Sequence, residues 1–417
     1  MPLPLRGTTS PTTTPPRAAP TRITTPAQAY ARVSEMSVQE KAKLLVMNYG
    51  DVHSAPWSGS VIVNQTHLTA TGTKQLGQVG ALAASRTGAT VLVAADQEGG
   101  RVNRMKNVPG YENVAFPSPQ QMQSMTPAQL KAEGAKVGAA LKVAGVNTLL
   151  GPVLDAASPG SLMERQGRSF GTTPAEVLVR AQPFIDGLRE ANPNVVLLAK
   201  HFPGYDARGN SDISKVEDNS TLDELRARAA PFTQMKGLDG VMINSIRYPK
   251  VDGLPACLSP TVIGLIREKN PGALVITDDI AAGGLLSDKS AAFKNYEVSA
   301  SRTDPASVAD AQRLLGKYPE FGTSAGRNEV RATIHEELKA NTKAAFLAGC
   351  DVVLTMDSRE APAVADAIAE LIKEKPELKP RLDQAATRMM LASIKATPGG
   401  ATADASIPAA PRGWVPR

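Results

Sequence analysis

The sequence predicts an α/β fold, a TIM-type (β/α)8 barrel in a single domain with disordered N- and C-terminal tails, and three observations carry that expectation. Eight short apolar runs of strand length recur along the chain. Stretches with helical spacing lie between several of them. The polar residues that follow the runs fall at comparable places, as if converging on one face.

The runs, in order, are KLLVMN (43–48), GSVIVN (59–64), TVLVAAD (90–96), NTLLGPVLD (147–155), VVLLAKHF (195–202), DGVMINS (239–245), ALVITDD (273–279) and DVVLTMD (351–357). Unbroken apolar character, without alternation, is what strands covered on both faces require, and parallel strands need the long crossovers that helices supply. PAQLKAEGAKVGAALKVAG, PAEVLVRAQPFIDGLREA, LDELRARAAPFTQMKG and SPTVIGLIREK have that spacing. A doubly wound open sheet is the alternative arrangement of the same units.

Residues 1–27 are rich in Pro and Thr, and 397–417 are Pro/Gly/Ala-rich, so neither end has the apolar surface to order itself. The barrel is expected over 28–396, with an insertion at about 287–336 between the seventh run and the helix that should follow it. A segment placed there lies over or beside the active face, as a lid or a binding element.

Composition narrows the function. The 417 residues are 42% apolar and 21% charged with a formal net charge of +6. Much of that excess sits in the tails: Arg6, Arg17, Arg22 and Arg32 precede the first acid, and Arg412 and Arg417 outnumber Asp404. The folded part is nearly neutral, which argues against a nucleic-acid partner. No run reaches the length of a membrane helix and the N-terminus lacks a signal-peptide core, so the expected location is cytoplasmic, with no membrane partner. Cys257 and Cys350 are isolated in apolar contexts and read as buried free thiols. His53, His67, His201 and His335 have no zinc-ligand spacing and no phosphate-binding glycine loop is present, so no cofactor and no metal is expected. Gly322-Thr-Ser324-Ala-Gly326 matches a nucleophile elbow by pattern, but the preceding GKYPEF is too polar for the buried strand an elbow needs.

What remains is acid–base or nucleophilic chemistry on carboxylates. Asp96, Asp155, Lys200, His201, Ser245, Asp278, Asp279 and Asp357 stand at or near strand ends, the place where barrel active sites form. An Asp in such a position also caps helices, so it is the group that is informative. Of the adjacent Asp278 and Asp279, one can face the barrel mouth while the other turns away.

Five motifs occur in order: Asp96–Val102 (DQEGGRV), Gly167–Gly171 (GRSFG), Lys200–Gly204 (KHFPG), Leu254–Pro260 (LPACLSP) and Val275–Asp279 (VITDD). Together they resemble glycoside hydrolase family 3, in particular its single-domain β-N-acetylglucosaminidase branch, over about residues 36–396. The resemblance implies a barrel that hydrolyses terminal β-linked N-acetylglucosamine with retention, from a carbohydrate substrate such as peptidoglycan fragments. It implies Asp278 as nucleophile and Asp96, Arg104, Arg168, Lys200 and His201 as sugar-binding residues. A β-glucosidase-like hydrolase and a catalytically impaired sugar-binding barrel are the alternatives.

The departure from the family lies in KHFPGYDARGNSDIS (200–214). The family follows KHFPG with a loop reading roughly H-G-D-T-x-x-D-S-H, whose last histidine is the acid/base. Here Tyr205 stands for the first histidine and Asp212-Ile213-Ser214 for the closing triplet, while Ser245 takes the place of a further histidine. A neutral serine hydroxyl cannot supply a proton near neutral pH. The expected acid is therefore Asp212, with Asp206 and a group from the insertion, His335 included, as alternatives.

Overall fold

The computed structural model describes residues 22–50, 58–72, 74–76 and 88–397. Eight parallel strands close into one barrel in sequence order. They are β1 (Val46–Tyr49), β2 (Ser60–Val63), β3 (Leu92–Ala95), β4 (Thr148–Val153), β5 (Val196–Phe202), β6 (Gly240–Ile243), β7 (Leu274–Asp279) and β8 (Val352–Thr355). Each coincides with one of the eight apolar runs, β1 alone extending one residue past the end of its run. Closure is made by β1 and β8, with Met47 opposite Leu354.

The helices start where local chemistry tells them to. In TPAQ and TPAE, Thr126 and Thr173 cap the helices Pro127–Val143 and Pro174–Ala191 in full capping boxes, with Pro in the first turn where its missing N–H costs nothing. These two helices pack closely because glycines let them. A Cβ on Gly134 would lie 1.8 Å from the Phe184 carbonyl oxygen, and one on Gly187 1.8 Å from that of Lys131.

Polar groups also secure the end of the barrel opposite the mouth. Asp351, preceding β8, accepts hydrogen bonds from Arg267, Arg381 and Arg388, and so ties the closing helix Lys379–Lys395 to the sheet. Burial alone would raise its pKa, but the three guanidinium groups outweigh burial and hold the carboxyl well below the usual carboxylate range.

Two boundaries differ from expectation. The barrel begins before residue 28: Ile23 is buried and its N–H donates to the Gly88 carbonyl, while Thr25 caps the helix Pro26–Glu35. At the other end Thr397 is still packed, its hydroxyl 2.6 Å from that of Thr90. The rest of both expected tails lies outside the described residues. The insertion is also shorter than 287–336, because the crossover helix to β8 already starts at Ser324 and runs to Ala348. What precedes it is two helices, Asp288–Ala300 and Pro305–Lys317, and a 3-10 turn, Pro319–Gly322. Ser324 is thus an exposed first-turn residue of a helix with no strand before it, as the polar GKYPEF implies. Among the described residues no helix is long and apolar enough to cross a membrane.

Candidate active site

A cavity of about 370 Å³ opens at the C-terminal mouth of the barrel, and Asp96, Arg104, Arg168, Lys200, His201, Asp212 and Asp278 all line it. Residues far apart in sequence meet there because they sit at or after the ends of four strands, β3, β4, β5 and β7.

Lys200 and His201 close β5. Consecutive strand residues ordinarily face opposite sides, yet both reach the cavity because the β5–β6 register breaks here, Lys200 pairing with Met242 and Phe202 with Ile243. The Lys200 ammonium lies between Asp96 and Glu98, donating to Asp96 and standing 2.7 Å from Glu98 Oε1. Arg168 donates to both oxygens of Glu98, at 2.7 and 2.8 Å. Burial opposes a charge on Glu98, but Lys200 and Arg168 outweigh it and hold the carboxyl far below its usual range. Burial likewise lowers the Lys200 pKa, and Asp96 with Glu98 more than restores it. The result is a rigid set of donors and one acceptor, suited to sugar hydroxyls.

His201 is oriented by Asp155, whose carboxylate is fully buried. Asp155 Oδ2 is 2.6 Å from His201 Nδ1, and Oδ1 accepts the backbone N–H groups of His201 and Tyr205 at 3.0 and 2.7 Å. His201 Nε2 is left toward the cavity, 3.4 Å from Arg168 Nη2.

Asp278 and Asp279 end β7. Asp279 is held at the cavity rim by Lys294 at 3.0 Å and by the N–H of Met356 at 3.2 Å. Asp278 is half-buried and accepts the Asp279 N–H at 2.8 Å. Burial, and second the charge of Asp212, raise its pKa from 3.8 to about 6, against the pull of His201 and Lys200. Among the described residues neither Asp278 nor Asp212 has an ion-pair partner, whereas Asp96, Glu98 and Asp279, the other acids lining the cavity, each have one.

Asp212 is carried by a loop pinned from two sides. The Tyr205 hydroxyl donates to the Gly209 carbonyl at 2.7 Å and accepts the Ser211 N–H at 2.9 Å. Across the loop, Gly283 N–H donates to the Asp212 carbonyl and Gly284 N–H to that of Ser211, both at 2.8 Å. This approach requires glycine: a Cβ on Gly283 would stand 2.4 Å from the Ile213 carbonyl carbon. The insertion adds a third hold, Asn295 donating to the Ile213 carbonyl at 3.1 Å.

The alternatives for the acid do not line the cavity. Asp206 is spent on Ser158, accepting from its N–H at 2.9 Å and its hydroxyl at 2.6 Å. His335, on the crossover helix, pairs with Glu360 at 2.7 Å. Ser214 is exposed and turned to the Asn210 carbonyl, and Ser245 is buried against Cys257. Both cysteines are free and buried, as expected.

Glu98 and Asn210 also line the cavity, and Asp155 supports it from behind His201. Glu98 had a signal: it stands two residues after Asp96, so on an extended backbone both point the same way. Asp155 was visible only as one strand-end acid among several, and its partnership with His201 is purely tertiary.

Residues 50–301 match the family described as Glycosyl hydrolase family 3 N terminal domain. The chain belongs to glycosyl hydrolase family 3. Within the family it is similar to a beta-hexosaminidase of Methylococcus capsulatus, 33% identical over 203 residues, which cover 46% of this chain and 59% of that one. A beta-hexosaminidase of Idiomarina loihiensis is 26% identical over 313 residues, 73% of this chain and 77% of that one. The chain thus spans less than two thirds of the first relative's length. Among solved structures, a beta-N-acetylhexosaminidase from Beutenbergia cavernae superposes with a TM-score of 0.66 at 23% identity, covering 86% of this chain and 99% of that one. A family 3 glycosyl hydrolase from Mycobacterium smegmatis gives 0.64 at 24% identity, over 87% and 98%. At these identities the likeness concerns the barrel.

Proposed function

We propose that this family 3 barrel is a retaining exo-glycosidase that releases terminal β-linked N-acetylglucosamine, peptidoglycan fragments being one source, with Asp278 as nucleophile and Asp212 in place of the acid/base histidine. The observation that carries the reading is the pair of carboxylates in one cavity that have no ion-pair partner among the described residues, one at the end of β7 and one on a pinned loop. The beta-hexosaminidases among the relatives support the N-acetylated sugar.

In the first step an Asp278 oxygen bonds to the anomeric carbon as the bond to the leaving oxygen breaks, and Asp212 gives that oxygen its proton. In the second, Asp212 takes a proton from water, the hydroxide bonds to the anomeric carbon, and Asp278 leaves as a carboxylate. Turnover requires Asp278 as the carboxylate, and burial together with the charge of Asp212 raises its pKa to about 6. Asp96, Arg104, Arg168, Lys200 and His201 hold the sugar, Glu98 keeping Lys200 and Arg168 together without repulsion.

Hydrolysis of 4-nitrophenyl N-acetyl-β-glucosaminide tests this. Turnover by wild type, abolished in Asp278→Asn and strongly reduced in Asp212→Asn, is expected. Unchanged turnover in Asp278→Asn refutes the assignment, and sugar binding by wild type without turnover makes the chain a binding protein.

A further inference from the structure

The two carboxylates of the proposed reaction stand on different pieces of chain, Asp278 at the end of β7 and Asp212 on the loop after β5, and one helix of the insertion touches both pieces. A retaining reaction needs its paired carboxyl groups about 5–5.5 Å apart, so whatever fixes one piece against the other bears on the chemistry.

Three consecutive residues of the helix Asp288–Ala300 make the connection. Successive helix residues point about 100° apart, so the three face three ways. Phe293 turns to a cluster with Phe321 and Val330 that is separate from the barrel core, meeting Phe321 edge-on at 5.0 Å, with the Arg331 guanidinium over its ring at 5.6 Å. Val330 and Arg331 belong to the crossover helix, so this end of the insertion is anchored to the barrel's own framework. Lys294 reaches to β7, its ammonium donating to Asp279 Oδ2 at 3.0 Å and to the Ala281 carbonyl. Asn295 reaches the other way, its amide donating to the Ile213 carbonyl at 3.1 Å.

Each of these contacts acts one residue away from a carboxylate. Asp279 Oδ1 accepts the N–H groups of Ala281 and Met356, both at 3.2 Å, and Lys294 holds Oδ2; the N–H of this anchored residue is the donor to Asp278 Oδ1. On the loop, the Ile213 carbonyl held by Asn295 follows the Asp212 carbonyl held by Gly283. The two glycine contacts by themselves join the loop to the β7 end along one line, about which the loop can turn. A second attachment through the helix, away from that line, removes the rotation.

We infer that the insertion is a brace that sets the spacing of the carboxylate pair, with Lys294 the positioning residue for Asp278 and Asn295 that for Asp212. Its chemical consequence rests on the proposed glycosidase reading; the mechanical link between the two segments does not.

Lys294→Met keeps the apolar stem and removes the ammonium, and Asn295→Ala removes the amide. Two substrates tell the carboxylates apart: methyl N-acetyl-β-glucosaminide needs both nucleophile and acid, whereas 2,4-dinitrophenyl N-acetyl-β-glucosaminide needs the nucleophile and little acid help. Lys294→Met should lose about tenfold or more in kcat/KM on both substrates, and Asn295→Ala about tenfold on the methyl glycoside with the dinitrophenyl glycoside nearly unaffected. Inhibition by N-acetylglucosamine should be unchanged in both variants, which also shows that they fold. Lys294→Arg, which keeps a cation for Asp279, should recover most of the rate. The same substrate pattern in both variants, losses that follow weakened N-acetylglucosamine binding, or rates within about twofold of wild type throughout overturn the brace and leave the glycosidase intact. Asn295→Ala breaks a single exposed hydrogen bond, so the test does not depend on Lys294→Met folding. Amide hydrogen exchange separates the two readings: Lys294→Met should speed exchange over 279–284 and Asn295→Ala over 211–214, with β1 to β4 unaltered. If wild type cleaves neither substrate but these local changes appear, the hydrolase reading fails and the brace stands. Unaltered exchange in both segments refutes the brace whatever the turnover.

Discussion

Replacing Asp278 by Asn should stabilise the protein while abolishing turnover, and the stabilisation should depend on pH in a defined way. The Asp278 pKa is raised from 3.8 to about 6, chiefly by burial in the barrel mouth and then by Asp212. At roughly 1.4 kcal/mol per unit, the charged carboxylate costs the native state at most about 3 kcal/mol. The folded protein holds this proton more tightly than the unfolded chain. Stability from this group is therefore highest below pH 4, falls as pH rises through about 6, and is fully lost above that. Asn is neutral throughout, and its side-chain oxygen can still accept the Asp279 N–H. The difference between variant and wild type should be near zero at pH 4 and grow to about 3 kcal/mol at pH 8. Urea unfolding of both proteins at pH 4.5, 6 and 8 measures it, and taking the difference cancels the other titrating groups. A difference that does not change with pH, or an Asn variant less stable than wild type at pH 8, would refute the account of Asp278 as a charge held at a cost for function.

The remaining predictions concern the same site and its supports. The kcat/KM of wild type should decline below about pH 6 as Asp278 takes up a proton, and Asp212→Asn should move that limb to lower pH by removing a neighbouring charge; a pH–rate profile that does not shift counts against the coupling. Gly283→Ala pushes on the loop that carries Asp212, so cleavage of glycosides with poor leaving groups should slow by about tenfold or more while 2,4-dinitrophenyl N-acetyl-β-glucosaminide, which needs little acid help, is nearly unaffected; equal losses on both substrates would mean a general defect. Glu98→Gln leaves Lys200 and Arg168 with less compensation, and should raise KM and destabilise the fold by about 3 kcal/mol in urea unfolding; unaltered KM and stability would show that the cations tolerate each other without it. Asp351→Asn, at the opposite end of the barrel, should cost a similar 3–5 kcal/mol, because three guanidinium groups lose their shared anion, yet leave KM unchanged.

Much of this protein was legible in one dimension. Strands covered on both faces must be apolar throughout, so the eight runs declared themselves, and helices opened by Thr-Pro with Gln or Glu two residues beyond the Pro announced their first turns. The seven residues expected in the site were legible because barrel chemistry gathers at strand ends and because five ordered motifs carried the family pattern. The insertion was visible as a break in rhythm, though its end was misplaced: nothing in SAGRNEVRATIH distinguishes the first turns of a crossover helix from a helix of the insertion.

The partnerships were decided only in three dimensions. Asp206 and Asp212 are equivalent by sequence, acids in one loop. Folding turns Asp206 to Ser158 and brings Asp212 into the cavity through Tyr205, Gly283 and Gly284. Glu98 between Lys200 and Arg168, and Asp155 behind His201, join residues 46 to 102 positions apart, and no local pattern encodes them. Sequence by itself determines which faces must be buried and which residue types reach the strand ends, since those follow from periodicity and solvation. Which of those groups meet, and which carboxylate is left without a cation, depends on barrel closure and on close backbone approaches, and these exist only once the chain is folded.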